Sequence, residues 1–72
     1  MRVVERVLAE AVVQEMLSRD LYRVSMVSNP RHRILAQASG RARRLRLGER
    51  VTVEMDPHDA GRGQILHRGP KS

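Results

Sequence analysis

Arginine is the residue type in this chain that is best suited to do chemistry. Thirteen of the fourteen basic residues are arginines. The planar guanidinium group donates paired hydrogen bonds to phosphate and stacks on bases, which lysine does less well. Residues 31–50 hold seven arginines and one acid, Glu49, and so carry +6, which equals the net charge of the whole chain. The sequence therefore predicts one cationic patch that binds a polyanion in a salt-dependent way. A solvated charge run without a partner is the alternative.

Other chemistry has little support among the residues. Asp56 and Asp59 flank Pro57, where a carboxylate bond to the backbone of a turn is the ordinary role. His32, His58 and His67 lack the paired spacing of metal ligands, and the chain has no cysteine. No Ser-His-Asp spacing suggests a nucleophile. The sequence predicts no enzyme activity, no metal and no cofactor.

Length and composition limit the class of protein. Seventy-two residues and 8.2 kDa allow one small domain, and such a chain buries only about 60% of the surface that it exposes when unfolded. The absence of cysteine favours a reducing, cytoplasmic location. No apolar run approaches the roughly 20 residues that span a bilayer, and no signal segment is recognised. Tyr22 is the single aromatic residue, so a stacking platform for single strands is absent, and Tyr22 itself is expected in the core.

Short alternating segments predict strands rather than helices over most of the chain. Residues 3–17 are ambiguous, because their composition favours helix whereas residues 7–13 also fit a strand. Strands are predicted at residues 21–26, 33–37, 50–55 and 64–67, with a fifth if residues 7–13 are extended. Between them we expect a turn at 28–31, a loop or single helical turn at 41–46 and an exposed loop at 58–63. Five short strands suggest a closed or nearly closed barrel, which hides sheet edges.

Three segments resemble bacterial translation initiation factor one. They are Tyr22-Arg23-Val24; Ile34-Leu35-Ala36 with Ser39-Gly40-Arg41-Ala42-Arg43-Arg44; and the run from Gly48 to Asp59, followed by Arg62-Gly63 and Ile65-Leu66-His67-Arg68. The similarity covers roughly residues 7–68. It implies an all-β, five-stranded oligonucleotide-binding (OB) barrel of the S1-like type, with residues 7–13 as its first strand. The implied domain is single, residues 1–72, with the barrel at about 5–68 and a flexible tail at 69–72.

The resemblance also implies a function. Members of the family occupy the aminoacyl site of the small ribosomal subunit during initiation. There they touch ribosomal RNA and a neighbouring ribosomal protein, and they cooperate with the other two initiation factors. They catalyse no reaction and act in the cytoplasm as monomers. Matching basic positions imply RNA contacts for Arg41, Arg43, Arg44, Arg46, Arg62 and Arg68, and we expect Arg31 and Arg33 to extend this patch.

The chain departs from the family pattern in two connections. The hairpin at residues 29–31 is about two residues longer than usual, and the segment between Arg44 and Gly48 is about four residues shorter, so that an aromatic stretch is missing. The sequence therefore reads as a diverged member or paralogue. Two other functions remain open: a general single-stranded RNA chaperone of the cold-shock type, and a protein-binding barrel that uses the arginine patch.

Overall fold

A computed structural model describes residues 7–38 and 44–69, and these residues form a closed β-barrel. The barrel order is β1-β2-β3-β5-β4, and β4 pairs back with β1. All neighbours are antiparallel except β3 and β5, which are parallel. This is the strand order of the OB fold, and the predicted fold class is confirmed. The strands are β1 Leu8–Met16, β2 Leu21–Met26, β3 Arg33–Ala38, β4 Arg50–Asp56 and β5 Asp59–Arg68.

Strand β1 forms where the local sequence was ambiguous. Ala11 and Val13 alternate into the core and are at most 1% exposed. Because β1 pairs with β2 on one side and with β4 on the other, tertiary pairing outweighs the helical propensity of the segment. The strand runs three residues beyond the predicted end at Val13, and its register with β2 shifts between Val13 and Glu15.

Strand β5 is longer than the sequence indicated. The exposed loop predicted at residues 58–63 is wrong, because β5 already begins at Asp59 and a tight turn at Pro57 and His58 joins it to β4. Asp56 Oδ1 accepts a hydrogen bond of 2.8 Å from His58 N and closes this turn. The polar residues at the start of β5 are exposed, as expected for a loop, but their backbone pairs with β3 and β4.

Small residues allow the barrel to close around its core. The single aromatic side chain, Tyr22, lies inside and is 1% exposed, as expected. A Cβ atom on Gly63 would lie 2.6 Å from Val53 Cγ1 and 2.9 Å from the Glu54 carbonyl oxygen. Only glycine therefore lets β5 approach β4 at this point. The other buried apolar side chains among the described residues are Ala11, Val13, Val24, Met26, Ile34, Ala36, Ala38, Leu45, Val51, Val53 and Ile65.

Strand β4 differs from its predicted two-faced pattern at Thr52. Val51 and Val53 face the core as expected, but Thr52 is also buried, at 1% exposure. Its hydroxyl donates to the Gly69 carbonyl oxygen at 3.1 Å, while Gly69 N donates to the Arg50 carbonyl at 2.7 Å. The chain after β5 therefore covers this outward position. Gly69, which the sequence assigns to the tail, is bonded to β4, and residues 70–72 lie outside the described part of the chain.

Residues 44–49 form the described part of the connection between β3 and β4. They contain a bend and a turn and no helix, so of the two predicted alternatives the described part is a loop. Leu45 inserts into the core, 8% exposed, and thereby fastens the loop to the barrel. Within residues 7–38 and 44–69, no helix has the length and apolar character needed to cross a membrane.

Candidate nucleic-acid interface

The predicted RNA-contacting arginines do not all lie at one place. Arg44, Arg46 and Arg68 line one groove, together with Leu47, Gly48 and Glu49. We call this set the loop groove. Arg62 lines a different concavity on the barrel wall. Arg41 and Arg43 lie outside the described residues.

A tight turn at residues 46–49 shapes the loop groove. Glu49 N donates to the Arg46 carbonyl at 3.0 Å, and Arg46 N donates to Glu49 Oε1 at 2.9 Å. Gly48 takes a φ of +85°, which disfavours residues with a Cβ. Two backbone bonds fasten the turn to β1: Gly48 N donates to the Val13 carbonyl at 2.8 Å, and Val13 N donates to the Glu49 carbonyl at 2.9 Å. The side chains of Arg46 and Leu47 are therefore exposed on an ordered backbone.

Glu49 and Arg68 join the end of β5 to this turn. Arg68 Nη2 donates to the Arg44 carbonyl oxygen at 2.9 Å, and Arg68 Nε lies 3.5 Å from Glu49 Oε2. Arg44 itself has a left-handed φ of +61°, a conformation that costs a residue with a side chain about 1–2 kcal/mol. The bond from Arg68 to the Arg44 carbonyl helps to hold that conformation. One carboxylate thus orders both the turn and the guanidinium beside it.

The electrostatics of the loop groove suit a phosphate backbone. Three arginines and one glutamate line the groove, so the groove has a net charge of +2. Arg44 and Arg46 are exposed and make no ion pair with another described residue, whereas Arg68 is oriented by Glu49. Guanidinium groups in such an arrangement donate charge-assisted, bidentate hydrogen bonds to phosphate oxygens. No described aromatic side chain is exposed, since Tyr22 is buried, so base stacking on aromatic rings is not available at this site.

A second set of arginines lies on β3, β5 and the hairpin before β3. We call Arg31, Arg33 and Arg62 the hairpin surface. Leu35 pairs with Arg62, which puts Arg33 and Arg62 on neighbouring strands, about 8 Å apart between Cα atoms by strand geometry. Arg62 Nε lies 3.7 Å from Asp59 Oδ2, while Arg31 and Arg33 are exposed and form no ion pair with the rest of the described chain.

The two described arginine sets are separate; the prediction that Arg31 and Arg33 extend the patch stays a prediction, because Arg41 and Arg43 lie outside the described residues. Strand β3 is not paired with β4, where the loop groove begins; β5 lies between them on one side, and β1 and β2 on the other. Ala60, beside the hairpin, and Arg68, in the loop groove, are eight residues apart on β5, or about 26 Å along a strand. The barrel thus separates the described arginines that precede β3 and begin it from those that precede β4.

Glu49 and Leu47 are the groove residues that sequence reasoning missed. Glu49 is the single acid among seven arginines in residues 31–50, and that isolation is a signal for a partner of arginine. Its contact with Arg68 crosses nineteen positions and cannot be found from local spacing. Leu47 is 69% exposed beside the arginines, and nothing in the local pattern marks it as a surface residue.

The remaining polar candidates have structural roles. Asp59 Oδ1 accepts from Gly61 N at 2.9 Å, and Asp56 accepts from His58 N, so both carboxylates make the turn bonds that the sequence predicted. His58 and His67 are exposed. Across the described ranges, no three His, Asp or Glu side chains cluster as metal ligands would.

Comparison with known proteins finds close relatives in one family. No family model matches the chain. Translation initiation factor IF-1 of Rickettsia akari (strain Hartford) is 40% identical over 60 residues, which span 78% of this chain and 82% of the relative. The solution structure of translation initiation factor IF-1 from the Wolbachia endosymbiont strain TRS of Brugia malayi superposes with a TM-score of 0.68 at 30% identity, over 93% of this chain and 80% of that one.

Proposed function

The chain belongs to the translation initiation factor IF-1 family, and from this membership we propose that it binds the small ribosomal subunit at the aminoacyl site during initiation. The observation that carries the proposal is the loop groove: the basic positions expected to contact RNA at the end of the β3–β4 connection, Arg44 and Arg46, lie beside Arg68 on one ordered surface. Its role is to occupy the site and exclude other ligands, without catalysing a reaction.

The same proposal covers the partners and the setting. On the subunit, the arginines of the loop groove contact phosphates of ribosomal RNA, since phosphate contacts fix the position of a protein on a nucleic acid. A neighbouring ribosomal protein and the other two initiation factors are the protein partners. The factor works in the cytoplasm as a monomer, and the closed barrel supports a monomeric state, because its described strands leave no sheet edge for another chain.

Binding to purified small ribosomal subunits at several salt concentrations tests this function. We expect saturable binding of one molecule per subunit that survives an excess of unstructured RNA. The R44Q/R46Q variant should bind at least tenfold more weakly, and its dependence on salt should be shallower, because fewer counterions are released. Arg68 is left in place because it holds the Arg44 carbonyl and contacts Glu49.

A matched variant separates specific contacts from total charge. R23Q/R50Q also removes two positive charges, but Arg23 pairs with Glu15, and Arg50 Nη1 lies 3.4 Å from Glu10 Oε2. We expect this variant to bind the subunit nearly as well as the wild type. Equal affinity of the wild type for the subunit and for any unstructured RNA would instead indicate a general RNA chaperone. Binding to neither would indicate a protein-binding barrel.

A further inference from the structure

The hairpin between β2 and β3 carries two exposed arginines that the loop groove does not include. We propose that Arg31 and Arg33, beside Arg62, form a second phosphate-binding surface, which holds an RNA segment different from the one at the loop groove. This inference rests on the proposed function only in taking ribosomal RNA as the natural source of that segment.

The hairpin backbone is ordered before any ligand arrives. Met26 N donates to the His32 carbonyl at 2.9 Å, His32 N donates to the Asn29 carbonyl at 2.8 Å, and Ser25 Oγ donates to the Pro30 carbonyl at 2.6 Å. The proline at position 30 further restricts the turn. A ligand that binds the two arginines therefore does not have to order the chain that carries them, which preserves affinity.

The arginine side chains are free to bind, and the histidine between them is not. His32 Nε2 lies 3.3 Å from the Ala60 carbonyl oxygen, so its ring is directed to β5. Arg31 and Arg33, on either side of it, are exposed and have no carboxylate partner among the residues that the structure describes. Arg23 and Arg50, by contrast, are each held by a glutamate. Arg31 and Arg33 can therefore bind a phosphate without first breaking an ion pair with another described residue.

The composition of the hairpin favours RNA over an acidic protein. A protein interface needs apolar or aromatic side chains at its centre, but Val27, which is 37% exposed, is the one large exposed apolar side chain in residues 27–32. Its neighbours Ser28 and Asn29 are small and polar. Phosphate contacts require only correctly placed cations, and the guanidinium groups of Arg31, Arg33 and Arg62 supply them.

The separation of the two surfaces requires two segments of RNA or a long one. Along β5, Ala60 beside the hairpin lies about 26 Å from Arg68, and Arg62 lies about 20 Å from Arg68, by strand geometry. A tetranucleotide is too short to contact both surfaces with its phosphates and can therefore report on each surface separately.

Nuclear magnetic resonance titration of the full chain with an RNA tetranucleotide tests the proposal. We expect saturable shifts in the amide signals of residues 29–33 in addition to those of residues 44–49. In R31Q/R33Q the shifts at 29–33 should disappear while those at 44–49 persist, and R44Q/R46Q should show the reverse. R31K/R33K keeps the charge and should restore part of the binding, which shows that the loss does not come from misfolding.

Subunit binding gives the second readout. R31Q/R33Q should reduce the slope of the logarithm of affinity against the logarithm of salt concentration by about 1.4, which corresponds to two phosphate contacts on a single strand. R23Q/R50Q, with the same net charge, should leave that slope nearly unchanged.

Three results would overturn the inference: hairpin signals that do not move with RNA, an equal loss of slope in R23Q/R50Q, or hairpin shifts with a hexaglutamate peptide but not with RNA. A wild type that fails to bind subunits yet shows RNA shifts at residues 29–33 would contradict the proposed function and leave this inference standing. A wild type that binds subunits without hairpin shifts would contradict this inference alone.

Discussion

The loop groove and the hairpin surface use the same residue type in different ways. In the loop groove, an acid organises the arginines: Glu49 bonds the turn and lies beside the Arg68 guanidinium. The backbone there is irregular, with left-handed conformations at Arg44 and Gly48. On the hairpin surface, Arg31 in the turn and Arg33 at the start of β3 have no acid partner in the described chain, whereas Arg62 lies 3.7 Å from Asp59 Oδ2.

We therefore expect RNA binding at the loop groove to depend on backbone geometry and RNA binding at the hairpin surface to depend on charge. The loop groove depends on the core through Leu45 and on a strained turn, so its affinity should be sensitive to substitutions that alter packing or backbone conformation. The hairpin surface depends on the pairing of β2 with β3 and on the charges of its arginines, so it should respond mainly to salt and to loss of charge. Substitutions that affect one region and spare the other can test this contrast.

The largest effect is expected at Leu45, which attaches the loop groove to the core. Leu45→Ala should lower the free energy of unfolding by about 3 kcal/mol, because it removes buried methyl groups and leaves a cavity. Urea unfolding measures this change. The matched control is Leu47→Ala on the same loop, where 69% exposure predicts almost no change. Equal stability of the two variants would show that the loop is not anchored by Leu45.

The milder L45V variant should weaken RNA shifts at residues 44–49 and leave those at 29–33 intact.

The next largest effect is expected at Gly63, which lies in the strand that carries arginines of both surfaces. Gly63→Ala should lower the free energy of unfolding by about 2 kcal/mol, because the new Cβ atom would clash with Val53 and with the Glu54 carbonyl oxygen. Thermal unfolding provides the measurement. Gly61→Ala is the control, because its Cβ would meet only Asp59 Oδ1, at 3.3 Å. RNA binding at both surfaces should fall together in Gly63→Ala, and a selective loss at one surface would contradict this role of β5.

The scaffold was more predictable from sequence than the arrangement of the surfaces. Strands β2 and β4 follow from alternation, because Tyr22, Val24, Val51 and Val53 recur with a period of two and all face the core. Strand β1 required the family resemblance, since its residues favour helix locally. The first half of β5 was missed because outward-facing polar residues on a closed barrel have the same composition as a loop.

The sequence named three arginines that line the loop groove, but it did not show their geometry. Arg44, Arg46 and Arg68 were expected to contact RNA, and the structure brings them together; their RNA contact stays a prediction. The contact of Glu49 with Arg68 depends on the closure of β4 against β5, which local sequence does not encode. The separation of Arg33 from the groove likewise depends on the strand order of the barrel. Strands β3 and β4 follow each other in sequence but are not neighbours in the barrel, because β5 lies between them.

A smaller effect is expected at Gly48, whose left-handed φ of +85° shapes the turn of the loop groove alone. Nothing lies within 4 Å of a Cβ placed there, so the cost of Gly48→Ala is purely conformational. It should be about 1 kcal/mol in unfolding free energy. Gly48→Asn should cost less, because asparagine tolerates this region of φ. RNA shifts at residues 29–33 should be unaffected, and equal costs for alanine and asparagine would contradict the conformational origin.

The smallest effect is expected at Glu49, and it distinguishes orientation from charge within the loop groove. Glu49→Gln keeps an oxygen that accepts from Arg46 N but removes the negative charge beside Arg68, so unfolding free energy should change by less than about 1 kcal/mol for this partly exposed pair. Affinity for unstructured RNA should rise about two- to fivefold at low salt, because one repulsive charge is lost. Glu15→Gln makes the same charge change at Arg23, and neither residue lines the groove, so it should raise affinity less. Fluorescence anisotropy measures both, and weaker binding by Glu49→Gln would mean that orientation of Arg68 by the carboxylate outweighs its repulsion of phosphate.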